Sequence, residues 1–428
     1  MNKKINKEYK IIVGHPGRQH SFRLASALKK NNMLFKYVTT VYDKENSLLM
    51  KMIKKIITKE NKDRANNRKN KDLLEEDVIQ FGEIRGLIEI FLARYDKSKK
   101  VYNWWHQKTS DFFGEKVAKL AIKNDVDAVI MYDTNAKKCF EILEKKAPNI
   151  VRIMDVSAAN RLYMKQIYEK DMKKFPEFAD KLKQERYFLW NLEECKRLKE
   201  EIERTQLFLV PSRFVRKSLL FSNVKEEQIM ICPYGTNFKP EEKIYKKNKN
   251  DKIRAVYVGN VTALKGIHYL LEAVLKIPEE NFHLTVVGSY NNENNIFTKY
   301  MSRINFVGRI PHKKVKEILN RSDIFIFPSL GEGLSLAVLE AMSCGLPCIV
   351  TKNSGANDAI IEGINGFEVD IQDIDIIKEK IEWFIQNKSF IPEMGKAAIE
   401  KVQEYTWENY EYRVSNLLKK RLGERNEL

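Results

Sequence analysis

Long apolar runs are missing from this sequence of 428 residues. No uninterrupted apolar stretch approaches the roughly 20 residues that a membrane-spanning helix requires. The N-terminal MNKKINKEYK is basic, but the apolar IIVG that follows is too short for the core of a signal peptide. These absences lead us to expect a protein that stays in the cytoplasm.

Cysteines are few, and no spacing pattern links them. The five are odd in number, scattered, and never spaced as C-x-x-C, which argues against both a disulfide framework and a zinc site. We therefore expect reduced thiols, with Cys344 and Cys348 as packing residues rather than a redox pair. A fixed-period repeat of the solenoid type is also missing.

The net charge of +18 is concentrated in the first half of the chain. Through Gly235 there are 49 Lys and Arg against 32 Asp and Glu, whereas the remainder carries 27 against 26. A basic half is compatible with an anionic membrane surface, an acidic acceptor or nucleic acid. No known nucleic-acid motif is present, so we expect no nucleic-acid partner.

Residues 48–59 (LLMKMIKKIITK) place apolar side chains on one helical face and lysines on the other. This pattern is typical of a helix that lies on an anionic membrane, and also of an ordinary surface helix packed on a sheet. The charged segment 61–71 that follows is a candidate for local disorder. Further on, we expect the pair Trp104 and Trp105 in the core.

Short apolar strands alternate with helical patterns on both sides of a polar segment, residues 239–252. Such alternation predicts parallel sheets covered by helices, so the fold class is α/β with two Rossmann-like domains. We predict a first domain over residues 1–238, a linker over 239–252 and a second domain over 253–405. A single long helical region is expected from 160 to about 204.

Polar residues follow several of the predicted strands, where open α/β sheets place ligand contacts. The first strand runs into a Gly-rich turn that carries His15, Gly17, Arg18 and His20. Two readings stay open for the cationic side chains of this turn, namely substrate contacts and ordinary loop residues. Asp155 follows another buried strand in the same half.

The stretch 323–351 (DIFIFPSLGEGLSLAVLEAMSCGLPCIVT) organises the second half. It predicts a buried strand, a tight polar turn, a helix over 336–342 that Ser335 is placed to cap, and a second buried strand. The turn carries Glu332 and the helix carries Glu340. A helix N-terminus at the carboxyl end of a strand, with free N–H groups and a positive dipole end, predicts a phosphate site.

The motif E-G-L-S-L-A-V-L-E-A-M, followed by G-L-P-C-I-V-T, resembles the E-x7-E region of GT-B glycosyltransferases, specifically the retaining enzymes of family 4. The resemblance is strongest over residues 256–366, and looser elements extend over nearly the whole chain. It implies two Rossmann-like domains that face a central cleft and close on each other. It also implies that the last helix, within residues 406–428, crosses back onto the first domain.

The resemblance gives roles to individual residues. Glu340 would bind the ribose hydroxyls, Glu332 would face the donor sugar near the reacting carbon, and Lys265 would neutralise the leaving diphosphate. Arg309 would border the base, and Gly259 would let the backbone approach the diphosphate. The loop with Gly17 and Arg18 would face donor and acceptor. The N–H groups that would hold the diphosphate are those of Gly333, Leu334, Ser335 and Leu336.

Three positions depart from the family pattern. Asn260 stands where an arginine is frequent, so one of two phosphate-binding cations is missing unless Arg18, Arg213 or Arg309 replaces it. Asp155 falls where many relatives carry a histidine, as a candidate catalytic residue on the acceptor side. Asp358 replaces a frequent glutamate.

The implied reaction moves a sugar from a UDP-, GDP- or ADP-sugar to a hydroxyl of a saccharide or lipid-linked acceptor, with retention of the anomeric configuration. The setting would be bacterial surface polysaccharide assembly, with the inner face of the membrane as one place of action. The leaving phosphate would take the acceptor proton, so we expect neither a metal nor another cofactor. A catalytically inactive binding subunit and a sugar-nucleotide epimerase are the alternatives.

Overall fold

The computed structural model describes residues 8–17, 20–45, 47, 68–184, 192–241, 243, 251–290 and 295–426. The amphipathic segment 48–59, most of the charged segment 61–71 and Arg18 therefore lie outside the described residues. Most of the predicted linker lies outside them as well.

The first half of the chain forms a sheet of seven parallel strands in the order β3-β2-β1-β4-β5-β6-β7. Their apolar, mostly buried sequences are those expected of a sheet covered on both faces. The strands are β1 (Ile11–Gly14), β2 (Leu34–Thr39), β3 (Val78–Gln80), β4 (Ala128–Tyr132), β5 (Val151–Asp155), β6 (Leu207–Val210) and β7 (Ile229–Ile231).

Eight described helices accompany this sheet: α1 (Ser21–Lys30), α2 (Glu83–Tyr95), α3 (Lys100–Lys123), α4 (Lys137–Lys146), α5 (Arg161–Lys174), α6 (Pro176–Gln184), α7 (Leu192–Glu203) and α8 (Arg213–Leu220). The single helical region predicted over 160–204 is thus wrong in its continuity. Pro176 has no N–H to continue α5, and the residue before a proline is disfavoured in helical conformation.

The second half forms a sheet of six parallel strands in the order β10-β9-β8-β11-β12-β13. The strands are β8 (Ile253–Val258), β9 (Phe282–Val287), β10 (Ile304–Gly308), β11 (Ile324–Phe327), β12 (Cys348–Thr351) and β13 (Gly366–Val369). The helices are α9 (Ile267–Leu275), α10 (His312–Arg321), α11 (Leu336–Ser343), α12 (Ile374–Gln386), α13 (Ile391–Val402) and α14 (Trp407–Asn426). Two Rossmann-like sheets are therefore confirmed.

The last helix, α14, returns to the first domain and packs on α1. Lys30 of α1 and Glu411 of α14 form an ion pair at 2.8 Å. The chain leaves the first domain beside this return, because the N–H of Thr236 donates to the carbonyl of Tyr405 at 2.9 Å. The two passages between the domains therefore run side by side.

Helices α5 and α6 belong to the first half in sequence but contact the second domain. Asp171 of α5 is fully buried and accepts hydrogen bonds from Tyr269 Oη at 2.6 Å and Gln372 Nε2 at 3.4 Å. His268 Nε2 lies 3.3 Å from the same carboxylate, and Phe178 of α6 stacks on the ring of His268. A buried polar group thus ties the two halves together.

Two predictions about individual side chains come out differently. Trp104 is 56% exposed, so the expectation that it lies in the core is wrong, whereas Trp105 is partly buried and donates to the carbonyl of Arg85. Cys344 and Cys348 are buried free thiols, as expected of packing residues.

Among the described helices, none is both long and apolar enough to cross a bilayer.

Replacing Asp171 by alanine should lower the free energy of unfolding by about 3 kcal/mol, because it leaves buried donors of the second domain without their acceptor. Chemical denaturation of the full chain measures this. Glu169→Ala on an exposed position of the same helix is the control, with an expected change of about 0.5 kcal/mol or less. Equal effects of the two substitutions would contradict the role of Asp171.

Candidate nucleotide-binding site

The turn between β11 and α11 leaves a helix N-terminus open. Ser335 is the N-cap residue by position, but its side chain makes no capping hydrogen bond, so this part of the prediction is wrong. The first-turn N–H groups of α11 have no partner within the helix by geometry. The N–H of Ser335 donates to the carbonyl of Ser354 at 3.2 Å, so it is the positive dipole end and the N–H groups from Leu336 onward that face the cleft beside β8, β9 and β11.

Contacts from both domains fix the shape of this turn. Thr351 Oγ1 donates to the carbonyl of Ser329 at 2.5 Å, and Asn353 Nδ2 donates to the carbonyl of Leu330 at 2.9 Å. From the first domain, Ser212 Oγ donates to the carbonyl of Gly333 at 2.6 Å. A Cβ at Gly333 would overlap the carbonyl of Ser157, so only glycine fits against the first domain there.

Lys265 and Glu332 form an ion pair at the mouth of the site. Ser329 Oγ donates a further hydrogen bond to Glu332 Oε1 at 3.1 Å. Lys265 precedes Gly266, whose φ of +61° and close contact with the carbonyl of Pro328 exclude any Cβ. The lysine is thus held beside the β11–α11 turn by backbone geometry, and its ammonium is available to a competing anion.

Glu340 lies one turn into α11 and is 9% exposed. Burial raises the pKa of its carboxyl, and His312 acts in the opposite sense, with Nε2 at 3.0 Å from Oε1. The sequence reasoning missed His312. Its place at the start of α10, after the residues that border the predicted base site, is the only sequence signal, because the contact with Glu340 joins residues 28 positions apart.

A cleft of about 400 Å³ is lined by the start of α11, Lys265 and Glu332, whereas Glu340 and His312 are not among its lining residues. Gly259 and Gly288 meet at its floor, where a Cβ at Gly288 would overlap the carbonyl of Gly259. Asn260 accepts a hydrogen bond from Ser289 Oγ at 2.9 Å. The predicted residues that line the cleft are Gly259, Asn260, Lys265, Arg309, Glu332, Leu334, Ser335 and Leu336. Gly333 is not among the lining residues and packs on the first domain instead.

The three candidate replacements for the missing arginine are separated by the structure. Arg309 lines the cleft with an exposed side chain. Arg213 instead approaches Asp358, with 3.8 Å between Nε and Oδ1, and its own N–H donates to Oδ2 at 2.8 Å. Arg18 lies outside the described residues.

The predicted residues of the first domain that the structure describes, Gly17 and Asp155, are not among the residues that line the cleft. The N–H of Gly17 donates to His15 Nδ1 at 2.7 Å, which closes the turn after β1 on itself. Asp155 is 1% exposed at the end of β5, and burial raises its pKa to about 8. The Tyr132 hydroxyl partly opposes this rise in pKa. An acceptor-contacting role for Asp155 thus requires a change in its exposure.

Glu201 shows how another helix N-terminus of the fold is satisfied internally. Its buried carboxylate accepts the N–H groups of Thr134 at 2.8 Å, Ala136 at 2.5 Å and Lys137 at 3.0 Å, at the start of α4. Burial raises its pKa to about 7, against the effect of these hydrogen bonds. This carboxylate occupies the position that an anion would take, in contrast to the open start of α11.

Within the described part of the chain, no group of three or more His, Cys, Asp or Glu side chains is arranged to hold a metal ion. Metal independence itself stays a prediction.

Comparison with known proteins identifies a family that the second half of the chain resembles. Residues 238–403 match the family model of glycosyl transferases group 1, which confirms the resemblance for this part of the chain. The capsular polysaccharide biosynthesis glycosyltransferase CapM of Staphylococcus aureus is 29% identical over 236 residues, which are 50% of this chain and 62% of CapM. The chain therefore spans less than two thirds of this relative.

The fold comparison extends over the whole chain. Sucrose-phosphate synthase from Thermosynechococcus elongatus superposes with a TM-score of 0.65 at 17% identity, covering 97% of this chain and all of that one. Anabaena Alr3699/HepE in complex with UDP gives a TM-score of 0.58 at 12% identity, covering 96% and 100%. At these identities the similarity establishes the GT-B fold.

The raised pKa of Asp155 predicts that the stability of the fold falls as the pH rises. The unfolded carboxyl ionises near pH 4 and the folded one near pH 8, so its contribution is full below pH 4 and is lost progressively up to about pH 8. Asp155→Asn should reduce the fall of the melting temperature with rising pH between pH 5 and 8, as measured in thermal scans. Asp375→Asn, at an exposed position, is the control. A slope that Asp155→Asn leaves unchanged would contradict the prediction.

Proposed function

We propose that the protein transfers a sugar from a nucleoside-diphosphate sugar to a hydroxyl of a saccharide or lipid-linked acceptor, with retention of configuration. The observation that carries this proposal is the open start of α11, beside the Lys265–Glu332 pair and within one helical turn or so of Glu340. Amide donors and a cation in one cleft suit a diphosphate, and a buried carboxylate one turn further along α11 suits a ribose.

The diphosphate would lie on the N–H groups at the start of α11 from Leu336 onward, because the N–H of Ser335 already donates to the carbonyl of Ser354. Lys265 would exchange Glu332 for a phosphate oxygen, since an ammonium pairs with either anion as a point charge. The charge that develops on the leaving diphosphate then meets preorganised donors, which is where electrostatic catalysis has its largest effect.

Glu340 would accept the ribose hydroxyls. A carboxyl group accepts hydroxyl donors most strongly when it is ionised, and burial opposes ionisation of Glu340. His312 counters that effect from 3.0 Å and leaves the second carboxylate oxygen for the ribose. His312 is thus a positioning residue for the nucleotide.

The chemical step needs no separate general base. The acceptor oxygen bonds to the anomeric carbon as the bond to the diphosphate oxygen breaks, and the departing phosphate takes the acceptor proton. Glu332 would face the sugar near the reacting carbon once Lys265 has turned to the phosphate. In this scheme neither a metal nor a further cofactor takes part.

The biological setting we infer is polysaccharide assembly at the inner face of the membrane. The similarity to CapM, whose name assigns it to capsular polysaccharide biosynthesis, supports this setting. The basic first half fits acidic or lipid-linked acceptors. UDP, GDP and ADP all remain candidate nucleotides, with UDP favoured by the complex of the structural neighbour HepE.

A catalytically inactive binding subunit is the second candidate, because Asn260 replaces a phosphate-binding arginine. The cleft position of Arg309 weighs against it, since this guanidinium lines the same cavity as Lys265. We therefore assign the second phosphate cation to Arg309.

A panel of UDP-, GDP- and ADP-sugars tests the enzyme proposal. One nucleotide family should stabilise the protein against heat, by about 2.7 kcal/mol at 100 times its Kd, and slow donor hydrolysis should accompany binding. Glu340→Gln should abolish the stabilisation, whereas Glu379→Gln, at an exposed position of α12, should retain it. The absence of both stabilisation and hydrolysis with every donor would overturn the proposal.

Arg309→Ala should weaken binding of the nucleoside diphosphate by about tenfold, the effect of losing one charge-assisted hydrogen bond. Binding of the corresponding monophosphate should change less than threefold in calorimetric titrations. Lys313→Ala, at the exposed second residue of α10, is the control. An equal loss for diphosphate and monophosphate would place Arg309 at the base and contradict its role as the second phosphate cation.

A further inference from the structure

One face of α2 carries an exposed apolar stripe. Ile84, Ile88, Phe91 and Tyr95 recur at spacings of four, three and four residues, which aligns them on one side of the helix. Their side chains are 66%, 37%, 59% and 60% exposed. Scattered exposed apolar residues are normal, but an aligned stripe of four marks an interaction surface.

The adjoining start of α3 extends this surface. Val101 and Trp104 are 53% and 56% exposed, and the short link between the helices makes α2 and α3 a hairpin. We call these six side chains the hairpin stripe: Ile84, Ile88, Phe91, Tyr95, Val101 and Trp104. Tryptophan and tyrosine are enriched where an apolar body meets water and headgroups.

Other side chains hold the hairpin together. Arg85 lies over the ring of Trp105, 5.7 Å from its centre, and His106 Nδ1 is 2.8 Å from Glu89 Oε1. The hairpin meets the domain on another side, because a Cβ at Gly86 would overlap Thr40. The hairpin stripe therefore contributes little to the packing of the domain and is available to a partner.

The surroundings of the stripe are basic. Residues 83–108 contain six Lys and Arg against three Asp and Glu. Lys97, Lys100 and Lys108 are exposed around the helix link and the first turns of α3. Apolar and aromatic side chains with lysines beside them suit the surface of an anionic bilayer. The apolar side chains would enter the boundary of the acyl region, and the lysines would contact the anionic headgroups.

The hairpin also lies on the acceptor side of the molecule. Gly86 packs on Thr40, whose Oγ1 donates to the carbonyl of Pro16 at 2.6 Å. Pro16 and Gly17 form the turn after β1, at the carboxyl edge of the first sheet. The helix that carries the stripe is therefore connected, through Thr40, to the carboxyl edge of the first sheet, where an acceptor would enter.

We propose that the hairpin stripe docks the protein on an anionic membrane, with the carboxyl edge of the first sheet close to the bilayer. The orientation rests on the proposed function, since it presents a lipid-linked acceptor to the cleft. The docking itself does not depend on catalysis.

Flotation of the full chain with vesicles tests the proposal. Wild-type protein should float with vesicles of phosphatidylcholine and phosphatidylglycerol, and at least fivefold less with phosphatidylcholine alone. The triple variant Ile84→Gln, Phe91→Gln and Trp104→Gln should lose at least tenfold in bound fraction. The control replaces Ile364, Phe390 and Tyr412, exposed apolar residues of the second half, by Gln and should bind as wild type.

Several results would overturn the proposal. One is a wild-type protein that does not float, and another is a triple variant that floats like the control. A third is a loss of binding only in the variant with Lys51→Glu, Lys54→Glu and Lys55→Glu, which would assign docking to residues 48–59. A dimer in sedimentation that the triple variant abolishes, without vesicle binding, would identify a second copy as the occupant. Nucleotide stabilisation retained in the triple variant shows that a docking failure is separate from the proposed function.

Discussion

The structure of the cleft depends on the ion pair between Lys265 and Glu332. The lysine side chain is three-quarters buried and the glutamate about four-fifths, so each charge would be costly there without the other. Glu332 supplies a negative charge beside the open N–H groups of α11, and the lysine compensates that charge. A phosphate would satisfy the amides and the lysine together, and it would release the carboxylate toward the sugar.

The contacts between the domains serve the same turn. Gly333 has no Cβ, so the first domain reaches its carbonyl through Ser212, whose hydroxyl is also the N-cap of α8. Asp358 meets the start of the same helix through the N–H of Arg213. The geometry of the nucleotide site is therefore set partly by residues more than 100 positions away in the chain.

The local sequence pattern was enough to predict the sheets, the turn and the cleft residues of the second half, because alternating strand and helix signals and the glycines between them determine the path of the backbone. The prediction failed where packing between distant parts of the chain determines the position of a side chain. Ser335 has the residue type of a cap yet makes no capping bond, and Trp104 has the composition of a core residue yet is exposed. The partnership of His312 with Glu340 and the burial of Asp155 depend on how separate elements meet, which spacing along the chain does not encode.

The ties of Asp171 place a mechanical boundary inside the first half of the chain. Because its carboxylate is held by Tyr269 and Gln372, α5 is anchored to the second sheet while β5, only a few residues earlier, belongs to the first. The N-terminal end of the same helix stays on the first domain, where Asn160 Nδ2 donates to Ser222 Oγ at 2.9 Å. Helix α5 therefore spans the two domains, and a rotation of one sheet against the other has to break contacts at one of its two ends.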